Sequence, residues 1–176
     1  QLFRFLKNLG DVVALKNLKA ILLGGGPIPE ELIRRARSYR LPVHITYGLT
    51  EMASQVATSP SLRSLGNGPL KAKVLRYRRV RISAEQEILV KGPTLFRGYE
   101  RNGKIVLPLT AGGWFATGDW GSLDKKGCLT VKGRKDNMFI SGGENIQPEE
   151  IEKVLLFLNG VSEAMVVPQE DVEFGS

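Results

Sequence analysis

The hydrophobic pattern of the chain changes its period twice. Up to about residue 60, short apolar runs alternate with one helical segment. Leu18-Lys19-Ala20-Ile21-Leu22-Leu23 closes on Gly24-Gly25-Gly26 and reads as a buried strand. Pro27-Ile28-Pro29-Glu30-Glu31 then opens a helix, with proline and acids in its first turn, that is expected to run to about Arg40. Pro42-Val43-His44-Ile45-Thr46 is short, β-branched and led by proline, so it reads as the next strand. The three together predict a β-α-β unit with parallel strands. Upstream, residues 2–9 read as the end of a helix.

After Ser59-Pro60 the period shortens. Strands are expected at 73–77, 80–83, 87–91, 104–107 and 128–132, separated by turn signals such as Asn102-Gly103 and Lys126-Gly127. That predicts a β meander or small barrel over residues 61–135. From Pro148 a helical period returns and holds to Leu158, where Asn159-Gly160 stops it. Ala164-Met165-Val166-Val167-Pro168 is a last strand candidate. The class is α/β, with no internal repeat and no low-complexity segment.

Composition adds limits. The 176 residues give one large or two small domains with a real core. The 42% hydrophobic and 24% charged fractions are those of a globular protein, and no apolar run approaches the roughly 20 residues of a membrane span. The first residues are too few and too charged for a signal peptide and lack an initiator Met, so the chain is expected to start inside a longer parent. A single cysteine, Cys128, excludes an internal disulfide framework and fits a reducing cytoplasm. The net charge of +7 raises a nucleic-acid reading. In the densest basic run, Lys71 to Arg81, the charges alternate with apolar residues at strand spacing, which reads as one solvated face of a strand pair. Excess positive charge would also steer a polyphosphate or an acidic substrate.

Four stretches carry candidate chemistry. In Tyr47-Gly48-Leu49-Thr50-Glu51-Met52-Ala53-Ser54, a glycine for a sharp turn and close approach is followed by a hydroxyl and a carboxylate. With the aromatic ring of Tyr47 the set can stack a base, hydrogen-bond a phosphate oxygen and hold a hard cation such as Mg²⁺. Gly24-Gly25-Gly26 permits close backbone approach at a helix start, or is a structural turn; it matches neither the dinucleotide fingerprint nor the Walker A pattern. In Gly112-Gly113-Trp114-Phe115-Ala116-Thr117-Gly118-Asp119-Trp120, the carboxylate can accept from the vicinal hydroxyls of a ribose, or can cap its own turn. The stretch from Gly133 to Glu152 is dense in Gly and polar residues before a proline-initiated helix, which suggests a working loop, with Arg134 as a multi-donor fork.

These four motifs in this order resemble the acyl-adenylate-forming superfamily of acyl-CoA synthetases, aryl-CoA ligases, luciferases and peptide-synthetase adenylation domains. The resemblance runs from Ala20 to about Val167. Within it the chain looks most like the o-succinylbenzoate–CoA ligases of menaquinone biosynthesis, on Tyr47 to Thr58, on Gly98-Tyr99-Glu100-Arg101-Asn102-Gly103 and on the ending from Asp171 to Gly175. The resemblance implies that Gly24, Gly25, Gly26 and Pro27 line an adenine pocket on whose ring Tyr47 stacks, with Gly48 beside it. It implies that Thr50 bonds the α-phosphate and Glu51 holds Mg²⁺, the two catalytic positions. Asp119 is implied at the ribose hydroxyls and Arg134 at the ribose or phosphate. Asp136 is implied as a hinge, dividing the end of a large domain (1–135, with the β-α-β part to about 60) from the start of a small C-terminal one (136–176). Ser141-Gly142-Gly143 is implied as the loop turned toward coenzyme A, and Ser54 as a border of the acyl pocket. The implied partners are ATP or AMP, Mg²⁺, coenzyme A and a small carboxylic acid, in the cytoplasm, with no nucleic acid.

The pattern also departs from the family. Its upstream phosphate loop with a Lys, and the Lys near its C-terminus that drives adenylation, are absent from these 176 residues. The chain is therefore expected to be a fragment that does not adenylate by itself. Another acyl- or aryl-CoA ligase, or a nucleotide-binding module without chemistry, fits the same motifs. His44, the single histidine, in an apolar strand, reads as filler or as a support to neighbouring groups rather than as catalytic, and Cys128 as a small buried apolar group.

Overall fold

In the computed structural model, eight strands join into one mixed sheet, in the order Ile21–Leu23, Val43–Leu49, Ser54–Thr58, Ala72–Val74, Cys128–Arg134, Phe115–Leu123, Glu87–Lys91, Arg79–Ile82. The structure describes residues 17–26, 28–65, 71–156, 158, 160–161 and 163–169. The helix expected at 2–9, Pro27 and the 171–175 ending lie outside them.

The β-α-β unit forms as expected. β1 (Ile21–Leu23) pairs in parallel with β2 (Val43–Leu49), and α1 (Glu30–Ser38) lies between them in sequence. The helix starts later than Pro27 because Pro29 is still extended (φ −57°, ψ 135°) and serves as the N-cap. It ends before Arg40, which adopts a left-handed φ of 51°. The Leu41 N–H then reaches back to the Ala36 carbonyl at 2.9 Å, and the Arg40 N–H to Arg37 at 2.8 Å. That double closure usually has glycine at the left-handed position. Leu41, fully buried, seats it in a core of Leu32, Ala36, Val43 and Leu62.

β2 is longer than expected, and Gly48 is not a turn. It stays in the strand at a bulge in the pairing with β3 (Ser54–Thr58), which runs back antiparallel after a short 3-10 turn, Thr50–Met52. Glycine is required for another reason. A β-carbon at Gly48 would collide with the Ser54 carbonyl oxygen and lie 2.7 Å from its carbon.

After α2 (Leu62–Leu65), the remaining strands of the sheet are β4 (Ala72–Val74), β5 (Arg79–Ile82), β6 (Glu87–Lys91), β9 (Phe115–Leu123) and β10 (Cys128–Arg134). The order is not that of a meander, since β10 lies between β4 and β9, and the sheet continues without a break from the β-α-β unit. The basic run is not a strand pair either: β4 ends at Val74, Tyr77 takes a φ of 67°, and three strands separate β4 from β5. Arg79 and Arg81 do alternate with inward Val80 and Ile82.

β9 carries the Thr-Gly-Asp motif within a strand rather than a turn. Its two glycines conceal it from a propensity reading. Gly121 is needed because a β-carbon there would sit 2.5 Å from the Thr130 carbonyl and 2.7 Å from Ile88. The β9–β10 turn is closed by Asp124, whose carboxylate accepts from the Lys126 and Cys128 N–H groups at 2.9 Å each. A hydrogen bond from Lys71 at 2.8 Å holds its carboxyl well down, to about 2. Met52, Val56, Ile88, Val90 and Leu129 form the second core. Cys128 is half-buried rather than buried, and the His44 ring bonds the Ser59 carbonyl at 2.9 Å.

Two hairpins stand apart from the sheet: β7–β8 (Tyr99–Arg101, Lys104–Val106) and β11–β12 (Phe139–Ser141, Glu144–Ile146). The second lies inside the stretch read as a loop. Gly142 and Gly143, at φ 57° and 84°, form its two-residue connection. α3 (Pro148–Leu155) follows and ends earlier than Leu158, and residues 164–168 are irregular rather than a strand. Among the described residues no helix is long and apolar enough to cross a membrane.

Gly48→Ala is expected to lower stability by roughly 3 kcal/mol, seen as a lower urea midpoint at unchanged slope. Gly26→Ala is the control, because a β-carbon there meets nothing and its φ is not in the left-handed region; it should stay within about 0.5 kcal/mol. Equal stability of Gly48→Ala and the parent would refute the close-approach account.

Candidate functional site

Tyr47, on the bulge of β2, donates its phenol to the Asp119 Oδ2 at 2.6 Å, across 72 positions of sequence. Arg134, at the end of β10, donates to the other oxygen, Oδ1, at 3.2 Å, and to the Thr117 carbonyl at 3.1 Å. Its second nitrogen reaches Asp136 at 3.1 Å. Three of the four motifs are thus joined through one carboxylate.

The local sequence explains how Asp119 is presented. Thr117 is buried, bonds the Ile88 carbonyl at 2.8 Å, and accepts from the Asp119 N–H at 3.1 Å. Gly118 takes a φ of 73°, and a β-carbon there would press on the Arg134 guanidinium at 3.1–3.4 Å. Threonine anchors, glycine leaves room for the arginine, and the aspartate turns toward the tyrosine. Glu87 accepts from the Gly118 N–H at 2.9 Å and pairs with Lys135 at 3.3 Å, fixing the same corner from β6. Thr117, Glu87 and Lys135 were given no role by sequence reasoning. Thr117 could have been found beside its Gly-Asp; Glu87 and Lys135 carry no local signal.

The electrostatics follow burial. The Asp119 side chain is 14% exposed but Arg134 is 50% exposed, so solvent weakens their attraction and the pair mainly sets orientation. Burial, and then the bond to Asp119, push the Tyr47 phenol far above its ordinary value. It therefore remains a donor throughout the neutral and mildly alkaline range.

Tyr47, Gly48, Asp119 and Arg134 face an open cleft of about 2720 Å³, with Gly25 and Gly26 also on its lining. Of the three glycines, two are structurally required. Gly24 has no space for a β-carbon against Thr46, and Gly25 takes a φ of 93°. Thr50 and Glu51 lie past Gly48 on the 3-10 turn, and Glu51 accepts the Tyr99 phenol at 2.5 Å. Ser54 opens β3 with a φ of 105°, a strained backbone of the kind concentrated at functional sites. Asp136, exposed, joins the group through Arg134. The Ser141-Gly142-Gly143 turn does not line the cleft. Among the described residues no three His, Cys, Asp or Glu side chains gather as a metal cluster. A lone carboxylate still fits Mg²⁺, which takes one or two protein carboxylates and completes its shell with water and phosphate.

Comparison with known proteins agrees with the motifs. A model of the AMP-binding enzyme family matches residues 2–100. The chain is 43% identical to the 2-succinylbenzoate–CoA ligase of Salmonella typhimurium over 99% of its own length and 36% of that protein. It superposes with a TM-score of 0.78 on Escherichia coli MenE bound to an analogue of OSB-AMS, at 39% identity, covering 99% of this chain and 37% of that one. On Bacillus subtilis o-succinylbenzoate coenzyme A synthetase (MenE) with ATP and magnesium ion, the TM-score is 0.75 at 34% identity, covering 94% and 38%. The chain thus spans little more than a third of these relatives.

The Tyr47 arrangement makes a spectroscopic forecast. The 295 nm difference between the parent and Tyr47→Phe should show no tyrosinate up to about pH 11, because burial favours the neutral phenol. With the folded value raised, the stability Tyr47 contributes is full below about pH 10 and declines above it. A Tyr47 signal rising near pH 10 in folded protein would contradict the half-buried, bonded phenol.

Proposed function

The chain belongs to the AMP-binding enzyme family, and on that premise we propose that it carries the nucleotide-binding portion of an ATP-dependent acid–CoA ligase acting on o-succinylbenzoate. The observation that carries this reading is the line Tyr47–Asp119–Arg134, which joins separate motifs at one wall of the cleft. Relatives that match nearly the whole of this chain are named as ligases of that acid or hold an analogue of OSB-AMS.

The chemistry assigns work to each group. Tyr47 and Arg134 each occupy one oxygen of Asp119, which fixes the plane of the carboxylate. Each oxygen keeps a lone pair for one hydroxyl of a ribose diol. The ring of Tyr47 offers an apolar face for the base, with Gly25 and Gly26 on the same cleft. Thr50 donates to the α-phosphate, and Ser54 borders the acyl end. Mg²⁺ bound at Glu51 supplies charge neutralisation where the acid and the triphosphate, both anionic, must meet.

In the first half-reaction a carboxylate oxygen attacks the α-phosphorus and pyrophosphate leaves. In the second, the coenzyme A sulfur attacks the acyl carbon, its proton passes to solvent, and AMP leaves with the electron pair of the broken acyl–oxygen bond. Asp136 is the pivot about which residues 136–176 turn between the two steps, bringing Ser141-Gly142-Gly143 toward coenzyme A. The large and small domains meet there.

Calorimetric titration with a non-hydrolysable o-succinylbenzoyl-AMP mimic, a benzoyl-AMP mimic and AMP tests the reading. The first is expected to bind at least tenfold tighter than the second, and Asp119→Ala should weaken all three by roughly 10- to 100-fold, the worth of hydrogen bonds to a charged group. Equal binding of all three would leave a nucleotide module without acyl selectivity. No binding by folded protein would overturn the assignment.

A further inference from the structure

Glu51 is held by a residue to which the motifs assign no role. Tyr99, on the β7–β8 hairpin, donates its phenol to Glu51 Oε1 at 2.5 Å, 48 positions away in sequence. The grip is double, because the Phe96 N–H bonds the Glu51 carbonyl at 2.7 Å. Phe96 in turn packs edge-on against Tyr99, with ring centroids 4.8 Å apart, and against Phe115 of β9 at 5.5 Å. The aromatic chain anchors the phenol to the second core, so the hairpin reaches Glu51 with a fixed arm.

The free oxygen is the informative one. Glu51 Oε2 has no hydrogen-bond partner among the described residues, while Oε1 is fully oriented. A carboxylate bonded on one oxygen presents the other in a single direction, which suits one coordination site of an octahedral cation. From this geometry we propose that Tyr99 is a positioning residue that aims Glu51 Oε2 at a divalent cation carried on nucleotide phosphate. The proposal rests on the nucleotide reading above and deepens it. Tyr99 does not touch the cation; it acts through Glu51. Outer partners of this kind change metal affinity by about 10- to 100-fold when removed. The phenylalanine variant keeps the ring and its packing on Phe96 while deleting only the donor.

The test uses Mn²⁺ as a paramagnetic stand-in, titrated by electron paramagnetic resonance both alone and with ATP, into the parent, Tyr99→Phe and Glu51→Gln. AMP affinity is measured separately without metal. Tyr99→Phe is expected to bind Mn²⁺ 10- to 100-fold more weakly, and Glu51→Gln to lose the site, while AMP affinity in Tyr99→Phe stays within twofold. Merely damaged packing would weaken AMP and Mn²⁺ together. Parent-like Mn²⁺ binding by Tyr99→Phe, a joint loss of AMP and Mn²⁺ in that variant, or a parent that binds no Mn²⁺ in either titration, would overturn the proposal. Loss of AMP binding in the parent is the separate failure of the nucleotide reading.

Discussion

The short hydrogen bond from Tyr47 to Asp119 is the interaction on which the candidate site depends. It ties β2 of the β-α-β unit to β9, at the far side of three intervening strands. Without it the two motifs would share a sheet but not a geometry. Because the phenol is half-buried, water competes less for the bond than it would at the surface, which strengthens and directs it. The rest of the corner is arranged to serve it: Thr117 anchors the strand, Gly118 clears space for Arg134, and Arg134 takes the second carboxylate oxygen. A planar carboxylate gripped on both oxygens has no rotational freedom left to lose when a ligand arrives.

Much of this was legible in the sequence, for identifiable reasons. The parallel pair and α1 follow from apolar runs bounded by glycine and proline, signals that act over a few residues. The 87–91 strand was found with its bounds intact because its apolar run is dense. β9 was not found, because its glycines are dictated by Arg134, Thr130 and Ile88, which meet them only once the neighbouring strands fold against β9. Gly48 was recognised as necessary but assigned to a turn; the Ser54 carbonyl that demands it appears only when β3 folds back. The hairpin at Ser141 to Glu144 looked like a loop since two adjacent glycines mark loops and type I′ turns alike.

The site residues divide the same way. Tyr47, Asp119 and Arg134 could be named from motif order, but nothing local says that one aspartate receives both the tyrosine and the arginine. The contribution of Tyr99 is invisible in sequence for the same reason: its partner is 48 residues away on a different element. Chemistry-bearing residue types announce themselves, whereas the groups that aim them are ordinary residues made special by topology.

Among the described residues the sheet ends at β5 on one side and at β1 on the other, and the two ends are unequally guarded. At one end β5 places Arg79 and Arg81 on the outward positions, a charged fringe that discourages another strand from docking. At the other, β1 is three uncharged aliphatic residues, with Leu22 57% exposed. Unpaired backbone groups beside an apolar strand are a template for intermolecular pairing. Of the two described edges, Ile21–Leu23 is therefore the one more open to pairing with another strand, and Leu22→Lys would give it the charge it lacks.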